Sequence, residues 1–187
     1  MKILSIAVPC YNSQDYMEHC VETLLTGGEK VEIIIVNDGS KDDTAAIADR
    51  LAEKYPTIVK AVHQENGGHG EAVNTGIKNA TGVFFKVVDS DDWVGEEALA
   101  TLLEKLEMFS NSGEDAVNVP DLVLCNYIYD KVGVKHKKVI NYKGYLPLNR
   151  TFTWQDVKKM PPGKYMTMHA CVYRTEVLRE SQLVLPK

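Results

Sequence analysis

Apolar runs rich in β-branched residues recur along the first half of the chain, at Ile3 to Val8, Val31 to Val36, Ile58 to Val62 and Val83 to Val88. Between and after them lie stretches with helical spacing, Gln14 to Leu25, Asp42 to Lys54, Gly70 to Asn79 and Glu96 to Phe109. Strands that read as apolar on both faces and alternate with helices predict an α/β domain with a mostly parallel sheet covered by helices. Ser40 or Asp42 is positioned to cap the second helix, Gly27 and Gly28 end the first, and Gly82 follows the third.

Beyond Phe109 the regular alternation stops at the polar connection SNSGEDAVNVP. The remainder predicts a buried strand over Asp121 to Tyr129, then a strand or hairpin with a lysine-rich face in KVGVKHKKVINYK. A short helix over Thr153 to Lys159, a strand over His169 to Tyr173 and a last helix over Thr175 to Glu180 complete the pattern. We expect one catalytic domain over 1–187, divided into a 1–110 half and a smaller 111–187 portion.

Composition narrows the class. At 187 residues, 44% hydrophobic and 25% charged, the chain can bury a sizeable core. A formal net charge of -5 lacks the basic excess that general nucleic-acid binding requires. Cys10, Cys20, Cys125 and Cys171 are scattered with no zinc-ligand spacing, which predicts reduced thiols and a cytoplasmic setting. MKILSIAVPC reads as a first strand rather than a leader, and no stretch reaches the roughly 18 apolar residues of a spanning helix.

In open α/β sheets ligands bind beyond the carboxyl ends of the strands, so the residues that follow each predicted strand are the candidates for chemistry. They are Pro9, Cys10, Tyr11 and Asn12; Asn37, Asp38, Gly39 and Ser40; the run Gln64 to Gly70; and Asp89, Ser90, Asp91 and Asp92. Taken alone, VNDGS is ordinary turn chemistry, and the glycine loop around Gly67 matches neither GxGxxG nor the Walker spacing. The acidic cluster differs, because carboxylates crowded at a buried strand's end repel one another unless a cation or donor is present. Oxygen-only ligands suit a hard divalent ion, Mn or Mg, which takes diphosphate oxygens as further ligands.

Together the segments SIAVPCYNSQDYMEHCVETLL, VEIIIVNDGSKDDT, HQENGGHGEAVNTGIKNATG and VFFKVVDSDDW resemble family 2 of the glycosyltransferases, in that family's order, over about Ile3 to Leu103. The resemblance implies the Rossmann-like GT-A fold and inverting transfer from a nucleotide-sugar, usually a UDP-sugar, to a glycan or lipid-linked acceptor. It implies that Pro9, Tyr11 and Asn12 wall the base, that Asp38 accepts hydrogen bonds from it, and that Gly67 lies in the nucleotide site. Asp89 and Ser90 would face ribose and diphosphate, and Asp91, with Asp89, would hold the metal. Asp92 is then structural.

The chain also departs from the family pattern. Val73 stands where many relatives carry an Arg, and no convincing match to the family's downstream base motif is present. Asp156 and Glu176 are the late carboxylates nearest in position, and both read as ordinary surface residues. The general base is therefore expected beyond Lys187, and the acceptor-side portion is expected to be cut short. The lysine-rich stretch Lys131 to Lys143 reads as a solvated hairpin face, with peripheral contact to anionic lipid as the alternative. A nucleotidyltransferase and a non-catalytic nucleotide-sugar-binding module are the competing readings of the whole.

Overall fold

The computed structural model describes residues 1–110, 119–130, 133, 137–163 and 165–186. They form two compact units, one of Met1–Asp121 with Tyr173–Lys187, the other of Leu122–Val172. The end of the chain thus rejoins the first unit, a return that the expected halves at 1–110 and 111–187 did not include.

The first unit is built on strands β1 (Leu4–Cys10), β2 (Val31–Asp38), β3 (Val59–Gln64) and β4 (Phe84–Val87), in spatial order β3-β2-β1-β4 and all parallel. The Tyr173–Arg174 end of a later strand pairs antiparallel with Phe85 and Phe84. β1 and β2 are buried along their whole length, as expected for central strands covered on both faces. Ile33, Ile34 and Ile35 are all fully buried, so no alternation of apolar and polar residues is visible in this strand.

Helices α1 (Met17–Leu25), α2 (Thr44–Lys54), α3 (His69–Asn79), α4 (Glu96–Ser110) and α5 (Thr175–Glu180) complete this unit. α1 buries Met17, Cys20, Val21 and Leu24, the spacing of one helical face, and α4 does the same with Leu99, Leu103 and Leu106. α3 approaches β1 closely: a Cβ added at Gly76 would sit 2.5 Å from that of Ala7. Only a residue without a side chain allows that packing distance.

At the amino ends of the strands, the buried Glu32 carboxylate accepts hydrogen bonds from the Ser5 hydroxyl and the Thr81 and Gly82 amides. Thr175, the first residue of α5, donates its hydroxyl to the Gly82 carbonyl at 2.7 Å and its amide to Val83 at 2.9 Å. These bonds anchor the returning segment.

In the second unit the expected strand over Asp121 to Tyr129 is interrupted: β5 covers Leu122–Leu124 and β6 covers Tyr127–Tyr129. β6 turns away to pair antiparallel with β7 (Lys138–Ile140), while Cys125 donates its amide to Ala170 at 2.7 Å. The helix expected over Thr153 to Lys159 is a single 3-10 turn at Trp154–Asp156, closed by a capping box between Thr153 and Asp156. β8 runs Cys171–Arg174, starting after a 3-10 turn at Met168–Ala170 rather than at His169. Of the lysine-rich stretch, Lys131 and Lys135 lie outside the described residues, as does most of the 110–120 connection.

Candidate active site at the carboxyl ends of the strands

The four parallel strands of the first unit deliver their following loops to one rim, and side chains stitch those loops together. The loop after β1 is tied to the loop after β2. Asn12, at φ 51°, donates its main-chain amide to the Ser40 hydroxyl oxygen at 3.0 Å, and its side-chain Oδ1 accepts from the Lys41 amide at 2.9 Å. Asp42 accepts from the Gln14 amide at 3.2 Å and from the Thr44 amide at 3.1 Å, but the N-cap position of α2 falls to Asp43, whose side chain makes no capping bond, rather than to the expected Ser40 or Asp42.

Asp38 ties the loop after β2 to the glycine loop after β3. The residue is 2% exposed, and its carboxylate accepts from the Gly67 amide, the Gly68 amide and the Gln64 side chain, each at 2.8 Å. Gly39, at φ 68°, lies so close to this loop that an added Cβ would meet the Asn66 nitrogen at 2.7 Å. Here glycine serves both a left-handed conformation and a close approach.

The acidic turn after β4 is held from both sides. His69 Nε2, at the start of α3, lies 2.9 Å from Asp89 Oδ1, and Ser13 and Ser90 share a hydroxyl hydrogen bond of 2.9 Å. The Asp89 carboxylate raises the His69 pKa above the ordinary histidine value through that hydrogen bond, against a smaller opposing effect of burial. Asp92 donates its amide to the Asp89 carbonyl at 2.9 Å, which closes the turn. Asp91, at the tip, is exposed.

The candidates therefore fall into distinct positions. Asp38 and Gly67 are bonded to each other, Asp89 and Ser90 are gripped by His69 and Ser13, and Asn12 is tied to Ser40 in the loop after β2. Tyr11 is 52% exposed beside them, so its ring faces are available to a planar ligand. Pro9, by contrast, is buried within β1 opposite Val36. The Gly67 amide is committed to Asp38, so its part in the loop is structural at that atom.

Sequence reasoning did not single out His69 or Ser13, the two side chains that grip the DSD turn. Neither carries a periodic signal. The only clue was their position on loops after strands that end at the same rim. Among the late carboxylates, Asp156 accepts from the Thr153 amide at 2.9 Å, and this bond holds its pKa below the usual carboxylate range. That is the direction opposite to the one a general base needs. Glu176 is an exposed residue in the first turn of α5.

Comparison with known proteins gives a consistent result. The sequence model described as "Glycosyl transferase family 2" matches residues 5–181. The glycosyltransferase EpsJ of Bacillus subtilis is 37% identical over 97% of this chain and 51% of its own length. EpsH of the same organism, a putative glycosyltransferase by its description, is 38% identical over 66% of this chain and 33% of its own length. The chain thus spans about half or less of these relatives. Among solved structures, residues 1–349 of Staphylococcus aureus TarS superpose with a TM-score of 0.69 at 23% identity, over all of this chain and 50% of that one. The fold is therefore GT-A, a mostly parallel sheet flanked by helices.

Proposed function

The chain belongs to glycosyltransferase family 2, and from that premise we propose that its first unit binds a UDP-sugar with a divalent cation and presents the sugar for inverting transfer. The acceptor is a glycan or glycolipid hydroxyl. The observation that carries the reading is the double grip on the DSD turn: Asp89 is held by His69 and Ser90 by Ser13, so three loops meet at one acidic point. A solvated surface run of acids has no need of such fixing.

The donor set suits a hard cation. Asp91 offers an exposed carboxylate at the tip, and Asp89 and Asp92 bring carboxylate oxygens within 4.8 Å of one another, with no thiol among them. A Mn or Mg ion held by these residues would supply positive charge to the diphosphate as it departs. The chain's own contribution is to fix where the carboxylates stand. His69 restrains Asp89, and the Ser13–Ser90 bond keeps the preceding strand and the turn in register.

Asp38 supports uracil over guanine. Its Oδ1 already accepts two hydrogen bonds and its Oδ2 one, so a carboxylate with about four acceptor positions retains one. Uracil presents a single ring N–H donor, which that position can serve. Guanine presents two parallel donors and would need both oxygens. Tyr11 and Asn12 flank the same loop and would border the base.

The test is calorimetric titration of UDP and of GDP with and without Mn. UDP should bind only when Mn is present, GDP should bind more weakly, and Asp91→Ala should abolish the metal-dependent part without lowering the melting temperature. Undiminished UDP binding by Asp91→Ala would refute the metal assignment.

A further inference from the structure

The second unit carries a group of phenols that donor binding leaves unused. Tyr142 is buried in a small core with Leu146 and Ala170, against which Tyr127 also packs. The Tyr142 hydroxyl donates to the Tyr165 carbonyl at 3.5 Å. The Tyr127 and Tyr129 rings meet edge to face, 5.4 Å apart at 74°. Two of these rings remain open to solvent, Tyr129 at 45% and Tyr165 at 65%. Tyr129 is pushed above the ordinary phenol pKa first by its hydrogen bond with Tyr127, then by burial and by the more distant Tyr165 and Tyr142.

We propose that Tyr127, Tyr129 and Tyr165 form a glycan-binding surface for the acceptor; this rests on the transferase reading above. A pyranose ring has one face of C–H bonds and a rim of hydroxyls. Exposed phenol rings offer a flat apolar face with a polar tip, and clustered hydroxyls can exchange donor and acceptor roles with the rim. Tyrosine also orders few torsions on binding, so a surface built from it loses little conformational entropy. Tyr127 packs against the Tyr142 core and Tyr129 meets its ring edge to face, which keeps the Tyr127 ring in place before a ligand arrives and gives Tyr129 a fixed neighbour.

The chemistry distinguishes this surface from a membrane anchor. At a bilayer interface each phenol hydroxyl stays wet at headgroup level while its ring inserts alone, whereas the hydroxyl rim of a pyranose can pair with several neighbouring phenols at once. Lys138 stands directly across from Tyr129 in the β6–β7 ladder, so an acidic substituent on the glycan would find a cation beside the stacking ring.

The experiment uses the full chain on an array of neutral hexose, N-acetylhexosamine and uronic-acid oligosaccharides, followed by affinity measurement on the best binder. Tyr129→Ala and Tyr165→Ala should each weaken binding about tenfold, which corresponds to about one decade in Kd. Tyr129→Phe should retain part of the affinity through its ring. Mn-dependent UDP binding should be unchanged in all three variants.

Absence of any array binding, or binding indifferent to both alanine variants, overturns the proposal. So does binding to phosphatidylglycerol vesicles that both variants abolish while the array stays silent. Because UDP titration is run on the same samples, failure of the donor reading and failure of the glycan surface are separately visible.

Discussion

The Asn74 side-chain amide clasps the main chain of Leu185 in both directions: Nδ2 donates to the Leu185 carbonyl and Oδ1 accepts from its amide, each at 3.0 Å. Alongside, Gly70 lies so close to the same segment that an added Cβ would stand 2.0 Å from the Pro186 carbonyl oxygen. α3 thus holds the segment after α5 against its amino-terminal half, next to His69. Each hydrogen bond contributes about 1 kcal/mol net. Asn74→Ala should therefore raise amide exchange at Leu185 by tenfold or more while the urea midpoint falls only modestly. Gly70→Ala should displace the same segment by steric contact. Unaltered exchange at Leu185 in both variants would contradict the clasp.

Asp38→Asn tests the glycine loop. The substitution replaces one carboxylate oxygen with an NH2 group that must face amide donors of Gly67, Gly68 or Gln64. Lost charge-assisted bonds and a buried donor facing donors should cost about 2 to 4 kcal/mol. Urea unfolding reads the loss directly. A change below about 0.5 kcal/mol would mean that the loop does not depend on this carboxylate.

The His69–Asp89 contact has a definite pH signature in the metal-free protein. Because the folded pKa of His69 is raised, its contribution to stability is complete below the unfolded histidine value of about 6.5 and disappears as pH rises through the folded value. His69→Ala should therefore be destabilised relative to the parent at pH 5.5 and converge with it in alkaline buffer. With the imidazole 52% exposed, the difference is at most about 1 kcal/mol. A deficit that grows with pH would reverse the sign of the argument.

The sequence made the parallel sheet legible because β1 and β2 are buried on both faces, which leaves continuous apolar runs at Leu4–Cys10 and Val31–Asp38. Helices α1 to α4 were legible through their buried stripes, and α5 over Thr175–Glu180 has the expected bounds. The second unit was harder, for a physical reason: its strands are short and only partly buried, so the pattern of Leu122–Leu124 and Tyr127–Tyr129 is weak enough to read as one strand. The rim residues were legible by position after strands. Their partners were not, since the pairings of Ser13 with Ser90 and His69 with Asp89 join residues far apart in sequence.

Cysteine reactivity offers a last test, of how tightly the first unit closes around β1 and α1. All four cysteines lack disulfides; Cys10 and Cys20 are buried, and Cys125 is half-buried. Burial pushes the Cys10 thiol up to about 12, against opposing hydrogen bonds from Ser90 and Ser13, and pushes Cys20 up as well. At pH 8 a thiol with an ordinary pKa of about 8.5 is roughly a quarter thiolate, whereas one near 12 is about one part in ten thousand. Iodoacetamide at pH 8 should therefore modify Cys10 and Cys20 at least a hundredfold more slowly in the native protein than in a urea-unfolded control, as read by peptide mass spectrometry. The linked stability follows the same sign: deprotonation is resisted only in the folded state, so the urea midpoint should decline as pH rises above about 8.5. Rapid labelling of Cys10 in the native protein would mean that the loop joining Tyr11 to Ser13 opens readily and that the rim is not preorganised.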